Sequence, residues 1–208
     1  MQKLKELFDL PMYTIFHPAD GFYDMKYEKR GKTGIIFVNL FLFWISYSFQ
    51  KQYSGFVVNE NNPLAFNAFY DLFTIVIAFL LWCAGNWSVT TLMNGEGKFR
   101  DIAMAASVAL MPMILVFIPA SLLSNFLVLD EAAFYQVVVG ISVVWFVLLM
   151  FFGTMTIHGY SVGKTVATMV LTFLSICVIL FLAMLVGALI QQVSVFIRSI
   201  VIELLYRT

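Results

Sequence analysis

Stretches free of Asp, Glu, Lys and Arg run over residues 33–50, 72–95, 102–129, 132–163 and 165–197. A helix rises 1.5 Å per residue, so about 20 mostly apolar residues cross a hydrocarbon core of about 30 Å. Each run is long enough to insert, and none shows the strict alternation of a barrel strand. The pattern predicts five membrane helices near 34–51, 66–92, 102–126, 133–156 and 165–190. The fourth and fifth runs exceed one crossing, so each is expected to include a turn or an interfacial extension. Residues 193–208 stay apolar but introduce Arg198, Glu203 and Arg207. A single helix from 165 to 206 would be roughly 63 Å long, twice the membrane core. It must break, tilt or turn along the outer interface, with Gln191 and Gln192 at the exit. The expected organisation is an all-α polytopic membrane protein: a cytoplasmic amphipathic and basic segment over 1–33, a five-helix transmembrane bundle over 34–192, and an interfacial extension over 193–208.

Basic residues set the orientation. Lys3, Lys5, Lys26, Lys29, Arg30 and Lys32 precede the first crossing, Lys98 and Arg100 follow the second, and Lys164 follows the fourth. Only Lys51, Arg198 and Arg207 fall on the other side. The N terminus is therefore expected inside and the C terminus outside. Composition sharpens the class. Of 208 residues, 62% are hydrophobic and 12% charged, with twelve basic residues balancing twelve acidic ones. Soluble domains carry about 25% charge and about 45–50% apolar residues. A soluble enzyme, a disordered chain and a nucleic-acid binder are excluded on these figures.

In the N-terminal segment, Leu4, Leu7 and Phe8 share a helical face opposite Lys3, Lys5 and Asp9, until Pro11 interrupts the pattern. The stretch His17-Pro18-Ala19-Asp20-Gly21-Phe22-Tyr23 reads as a turn feeding a short helix. Lys26, Lys29, Arg30 and Lys32, mixed with aromatic rings, suit the headgroup layer as a juxtamembrane anchor; the alternative is a docking surface for a partner.

Catalytic chemistry finds little support. No acidic or basic residue lies deep in a predicted span; Asp71, beside Asn67 and Tyr70, reads as an interfacial group about one turn inside the second helix. His17 and His158 are isolated, whereas a metal needs three or four converging ligands. Cys83 and Cys177 both fall within spans and read as small packing residues. Gly159-Tyr160-Ser161-Val162-Gly163-Lys164-Thr165 ends like a phosphate loop, but His158 occupies the position where that loop needs its first Gly. The sequon Asn86-Trp87-Ser88 lies inside a span. No cofactor, catalytic residue or metal ligand is expected.

Packing signals are clearer. Ala84 with Ser88, Ala105 with Ala109 and Ala183 with Gly187 are small pairs at helical spacing. Pro112 and Pro119 are expected to kink the third helix. Asn86, Thr90 and Thr91 offer hydrogen bonds on the inner half of the second helix, either as intramolecular glue or as a polar groove for a ligand or partner.

The segment Asn86-Trp87-Ser88-Val89-Thr90-Thr91-Leu92-Met93-Asn94-Gly95-Glu96-Gly97-Lys98-Phe99-Arg100-Asp101, followed by Ala109-Leu110-Met111-Pro112, resembles the signature of the Yip domain family, the Ypt/Rab-interacting membrane proteins. The leader His17-Pro18-Ala19-Asp20-Gly21-Phe22 and the turn His158 to Lys164 resemble its bacterial branch. Val108 departs from the pattern, where an aromatic is common. The resemblance implies five spans, a cytoplasmic N terminus, a location in a bacterial cell membrane, and no catalytic set. Asn86, Thr90, Thr91, Gly95, Gly97, Lys98, Phe99 and Pro112 become candidate partner-binding or packing residues, alongside membrane-surface Lys26, Lys29, Arg30 and Lys32. The expected partners are lipids and other integral membrane proteins. Three functions stand open: a non-catalytic membrane adaptor, an accessory subunit associated with permease subunits of a carbohydrate ABC importer, and a lipid-binding or small-molecule transporter.

Overall fold

The computed structural model describes residues 2–28, 30–59, 61 and 66–206. Lys29 and Arg207 therefore lie outside the described residues. Among those described, the chain is helical, with no strand: α1 (Gln2–Phe16), α2 (Pro18–Lys26), α3 (Gly34–Tyr53), α4 (Ala68–Leu92), α5 (Phe99–Ala109), α6 (Met111–Ser124), a 3-10 turn over Leu129–Glu131, α7 (Ala132–His158) and α8 (Val162–Tyr206). Among the described residues, four helical stretches are long and apolar enough to cross a membrane: α4, α5 with α6, the turn with α7, and α8 to Glu203. α3 has 20 residues, enough for about 30 Å, but its composition is more polar.

That polarity has a structural cause. α5 and α6 are the two halves of the innermost rod: 67% of its most apolar window is buried, against 17% for α4 and 28% for α7. The rod breaks at Leu110, where Pro112 supplies no backbone donor to the preceding turn. Two buried polar side chains of α3 bond to carbonyls on either side of the break. Asn39 Nδ2 donates to Ser107 O at 3.2 Å, and Ser46 Oγ to Ile114 O at 3.3 Å. α3 is less apolar because it carries donors for its neighbour. Pro119, by contrast, lies within an unbroken stretch of α6.

α1 and α2 pack against the other helices. They fold into a hairpin around His17, close enough that a side chain at Gly21 would strike Thr14. Helix α1 passes through Pro11 without interruption. Its Ile15 packs with Phe43, Met111 and Ile114, while Phe22 and Met25 of α2 join a second cluster containing Ile102, Ala105 and Leu149. Trp145 Nε1 donates to Ile15 O at 3.2 Å. Trp145 is the midpoint of α7, so the hairpin tip reaches half-way along that helix. Leu10, Ile15, Phe22 and Met25 thus turn their apolar side chains inward onto the other helices, while Tyr13, Phe16, Tyr23 and Tyr27 stay exposed.

α8 is a single 45-residue helix with no break at Gln191-Gln192. Its first third packs on α4 through Thr165, Thr168 and Thr172, all fully buried. From Leu180 onward every described side chain is exposed. The small residues behave unevenly. Ala105 and Ala109 are buried as expected, whereas Ser88 and Ala183 are exposed and Gly187 meets no neighbour. Gly85, not the Ala84–Ser88 pair, lets α8 approach: an added Cβ there would lie 2.8 Å from Ile176.

Candidate functional site

Three segments distant in sequence meet at one end of the bundle: the α4–α5 connection, the α7–α8 connection and the end of α2. α7 stops because Gly159 takes the left-handed conformation, φ 64, which reverses the chain. That turn stacks His158 on Tyr160, ring centroids 5.3 Å apart. Both rings lie against the glycine-bearing connection. Gly97 N donates to His158 Nδ1 at 3.3 Å, and Tyr160 OH donates to the carbonyls of Thr90 and Met93 at 3.4 and 3.3 Å. A Cβ at Gly95 would collide with His158 Nδ1 and lie 2.6 Å from Tyr160 OH; one at Gly97 would collide with Ile157. These two glycines are close-approach positions. Lys164 sits over the outer side, its Nζ 4.0 Å from the Tyr160 ring centroid.

Beneath the turn, Asn86 and Thr90 are both 1% exposed. Thr90 Oγ1 bonds back to Asn86 O at 2.8 Å, and Asn86 Nδ2 donates across to Thr172 Oγ1 at 3.3 Å. Asn86, Thr154 and His158 line a cavity of about 10 Å³, comparable with the ~10–15 Å³ that one water needs. His158 Nε2 is buried with no partner among the described residues. Sequence reasoning read His158 as isolated; it is instead the residue that joins the two connections.

The end of α2 closes the cluster. Lys26 Nζ contacts Glu96 at 2.9 Å and Tyr27 OH at 2.8 Å, while Tyr27 OH donates to Glu96 at 3.1 Å. The hydrogen bonds from Lys26 and then Tyr27 hold the Glu96 carboxyl below its ordinary pKa. Burial pulls the Lys26 ammonium down, but its bonds to Tyr27 and Glu96 outweigh that, and its pKa is raised. Arg30 is also engaged, with Asp24 at 2.9 Å and Glu28 at 3.1 Å. Arg100 donates to Gly31 O at 3.2 Å, fixing the strand of chain between α2 and α3.

Of the residues singled out from sequence, Asn86, Thr90, Gly95 and Gly97 come together here. Lys98 opens α5, its backbone N–H bonded to Asp101 at 3.1 Å. Phe99 meets Trp87 edge-on at 6.3 Å on the outside of the bundle, and Thr91 is exposed, bonded only to its own helix. Pro112 lies in the core at the α5–α6 break, away from the cluster. Lys32 is exposed. Among the described residues, no three His, Cys, Asp or Glu side chains gather to hold a metal.

The profile of the Yip1 domain matches residues 12–200, which takes in the end of α1, all of α2, both connections and most of α8. The chain belongs to the Yip1-domain family. The match is to the domain as a whole and assigns no branch within it. No curated relative and no solved structure matches the chain. Yip1-domain proteins are in general non-enzymatic membrane proteins. With four apolar helices of spanning length, this Yip1-domain chain is an integral, multi-pass membrane protein.

Proposed function

We propose that this Yip1-domain protein is a non-catalytic membrane scaffold that holds other integral membrane proteins through its helices. In this reading α3 is the fifth crossing, the N terminus lies in the cytoplasm and the C terminus outside. The cluster of buried Asn86, Thr90, His158 and Tyr160 with half-buried Gly95 and Gly97 serves as the rigid joint that sets the direction of α8. The basic residues around Lys26 and Lys98 face the cytoplasmic membrane surface.

The length of α8 carries the proposal. Its 45 residues extend about 67 Å, and even a 40° tilt uses only about 39 Å of helix to cross a ~30 Å core. Nearly 30 Å is left over, bearing exposed Phe196, Ile197, Ile200 and Val201. An apolar surface of that size, uncovered by its own chain, marks an association site. A photo-reactive side chain at Ile200 tests this in protein purified at native expression in mild detergent. The expected result is a discrete protein adduct from Ile200 and none from buried Val108, with the adduct lost on truncation after Gln191. A monodisperse lone chain whose Ile200 captures only lipid overturns it.

A further inference from the structure

A crevice of about 590 Å³ lies between α3, α4, the α5–α6 rod, α7 and α8, within the ~300–1,000 Å³ range of small-molecule sites. It is elongated. Its lining on α4 runs along one face from Asp71 to Trp82, a rise of about 16 Å. On α3 the lining runs in the opposite direction from Lys51 to Leu40. Half of a ~30 Å hydrocarbon core is about 15 Å, so the crevice has the depth of one leaflet.

Its two ends differ in chemistry. Towards Trp82, Phe173 and Met169 the walls are apolar. At the other end Lys51 Nζ meets Asp71 Oδ1 at 2.8 Å, flanked by the rings of Tyr47 and Tyr70. Asp71 is 4% exposed, and its second oxygen, Oδ2, is buried without a partner among the described residues. A buried acceptor left unbonded is destabilising, and more so when charged. Lys51 keeps 27% of its side chain accessible and lines the same end of the crevice. The site therefore offers one acceptor that needs an N–H or O–H donor, one cation beside it, and a leaflet-deep apolar slot below.

We propose that this crevice holds an acyl chain of a phospholipid whose zwitterionic head carries a primary ammonium. The head-group phosphate faces Lys51, and the ammonium donates to Asp71 Oδ2. The head thereby lies antiparallel to the protein ion pair. A quaternary ammonium has no N–H to give Asp71, and an anionic head lacking an ammonium brings no positive charge to it. A helix from a second copy, about 10 Å across, would bring no phosphate to Lys51. This lipid site is independent of the scaffold reading, which rests on the far half of α8.

Native mass spectrometry of the full chain in detergent, titrated with defined lipids, tests the assignment. The probes are phosphatidylethanolamine, phosphatidylcholine and phosphatidylglycerol with identical acyl chains. The expected result is one tightly retained ethanolamine lipid per chain, favoured roughly tenfold or more over the choline lipid, as a charge-assisted hydrogen bond provides. Asp71→Asn should bring that preference to within about twofold. Ala78→Trp, which fills the slot and leaves Lys51 and Asp71 in place, should abolish retention of all three while thermal unfolding stays cooperative. Equal retention of ethanolamine and choline lipids by the parent protein overturns the head-group assignment, and an undiminished lipid count in Ala78→Trp overturns the site.

Discussion

Gly97→Ala measures how tightly the two connections are pressed together. The new methyl would overlap Ile157, which is fully buried and branched at Cβ, and would lie 2.8 Å from His158 Cε1. Neither neighbour is the free end of a flexible chain. Overpacking of this kind costs about 1–3 kcal/mol. Displacing His158 also lengthens the Gly97 N–H to Nδ1 bond of 3.3 Å, a net contribution near ~1 kcal/mol. Against this, Ala restricts the unfolded chain more than Gly, returning about 0.4–1 kcal/mol. The balance is a loss of about 1–3 kcal/mol, a 5- to 150-fold fall in the folded-to-unfolded ratio by the ~1.4 kcal/mol-per-decade rule. Cys83 is fully buried and reports unfolding through thiol modification once exposed Cys177 is replaced by Ser. In mild detergent, Gly97→Ala should expose Cys83 at a lower temperature than the parent. Gly140→Ala is the control: nothing lies within 4 Å of its added methyl, so the helix should be unchanged or gain up to about 1 kcal/mol. A Gly97→Ala protein as stable as the parent, or a Gly140→Ala protein equally weakened, would refute the close-approach argument.

Two further perturbations address the α1–α2 hairpin. Trp145→Phe keeps the ring but removes the donor to Ile15 O; amide hydrogen exchange in α1 and α2 should quicken about fivefold, the effect of one ~1 kcal/mol hydrogen bond, while α4 and α5 keep their protection. Acidification should loosen the other end. Glu96 has a folded-state pKa below its ordinary 4.5, so its contact with Lys26 contributes fully above that value and is lost as pH falls through the lower folded value. A cysteine at buried Met25 should then react faster with a thiol reagent active in acid, and Glu96→Gln should show that faster rate already at pH 7.

The crossings α4 to α8 were legible because lipid requires long charge-free runs, and the chain supplies them. The Pro112 break was legible too, since a missing donor acts locally. Three features were not. The N-terminal segment carries an apolar face, and only the tertiary fold shows which helices that face packs against. Gly95 and Gly97 read as turn residues, but the reason for glycine is His158 and Tyr160, some sixty residues away in the chain. The pairing of Asp71 with Lys51 joins residues 20 positions apart on different helices. Each is a tertiary contact, which local periodicity does not encode.

The donors on α3 bear on how the protein is made. Asn39 and Ser46 each serve a carbonyl 68 residues further along the chain. At about 5–20 residues per second, α3 leaves the ribosome some 3–14 s before those acceptors exist. During that interval it is the least greasy of the long helices, with two amphiphilic side chains exposed to the insertion machinery. Its two polar side chains are satisfied only when the Pro-broken rod arrives beside it, and biogenesis of the bundle hinges on that delayed meeting.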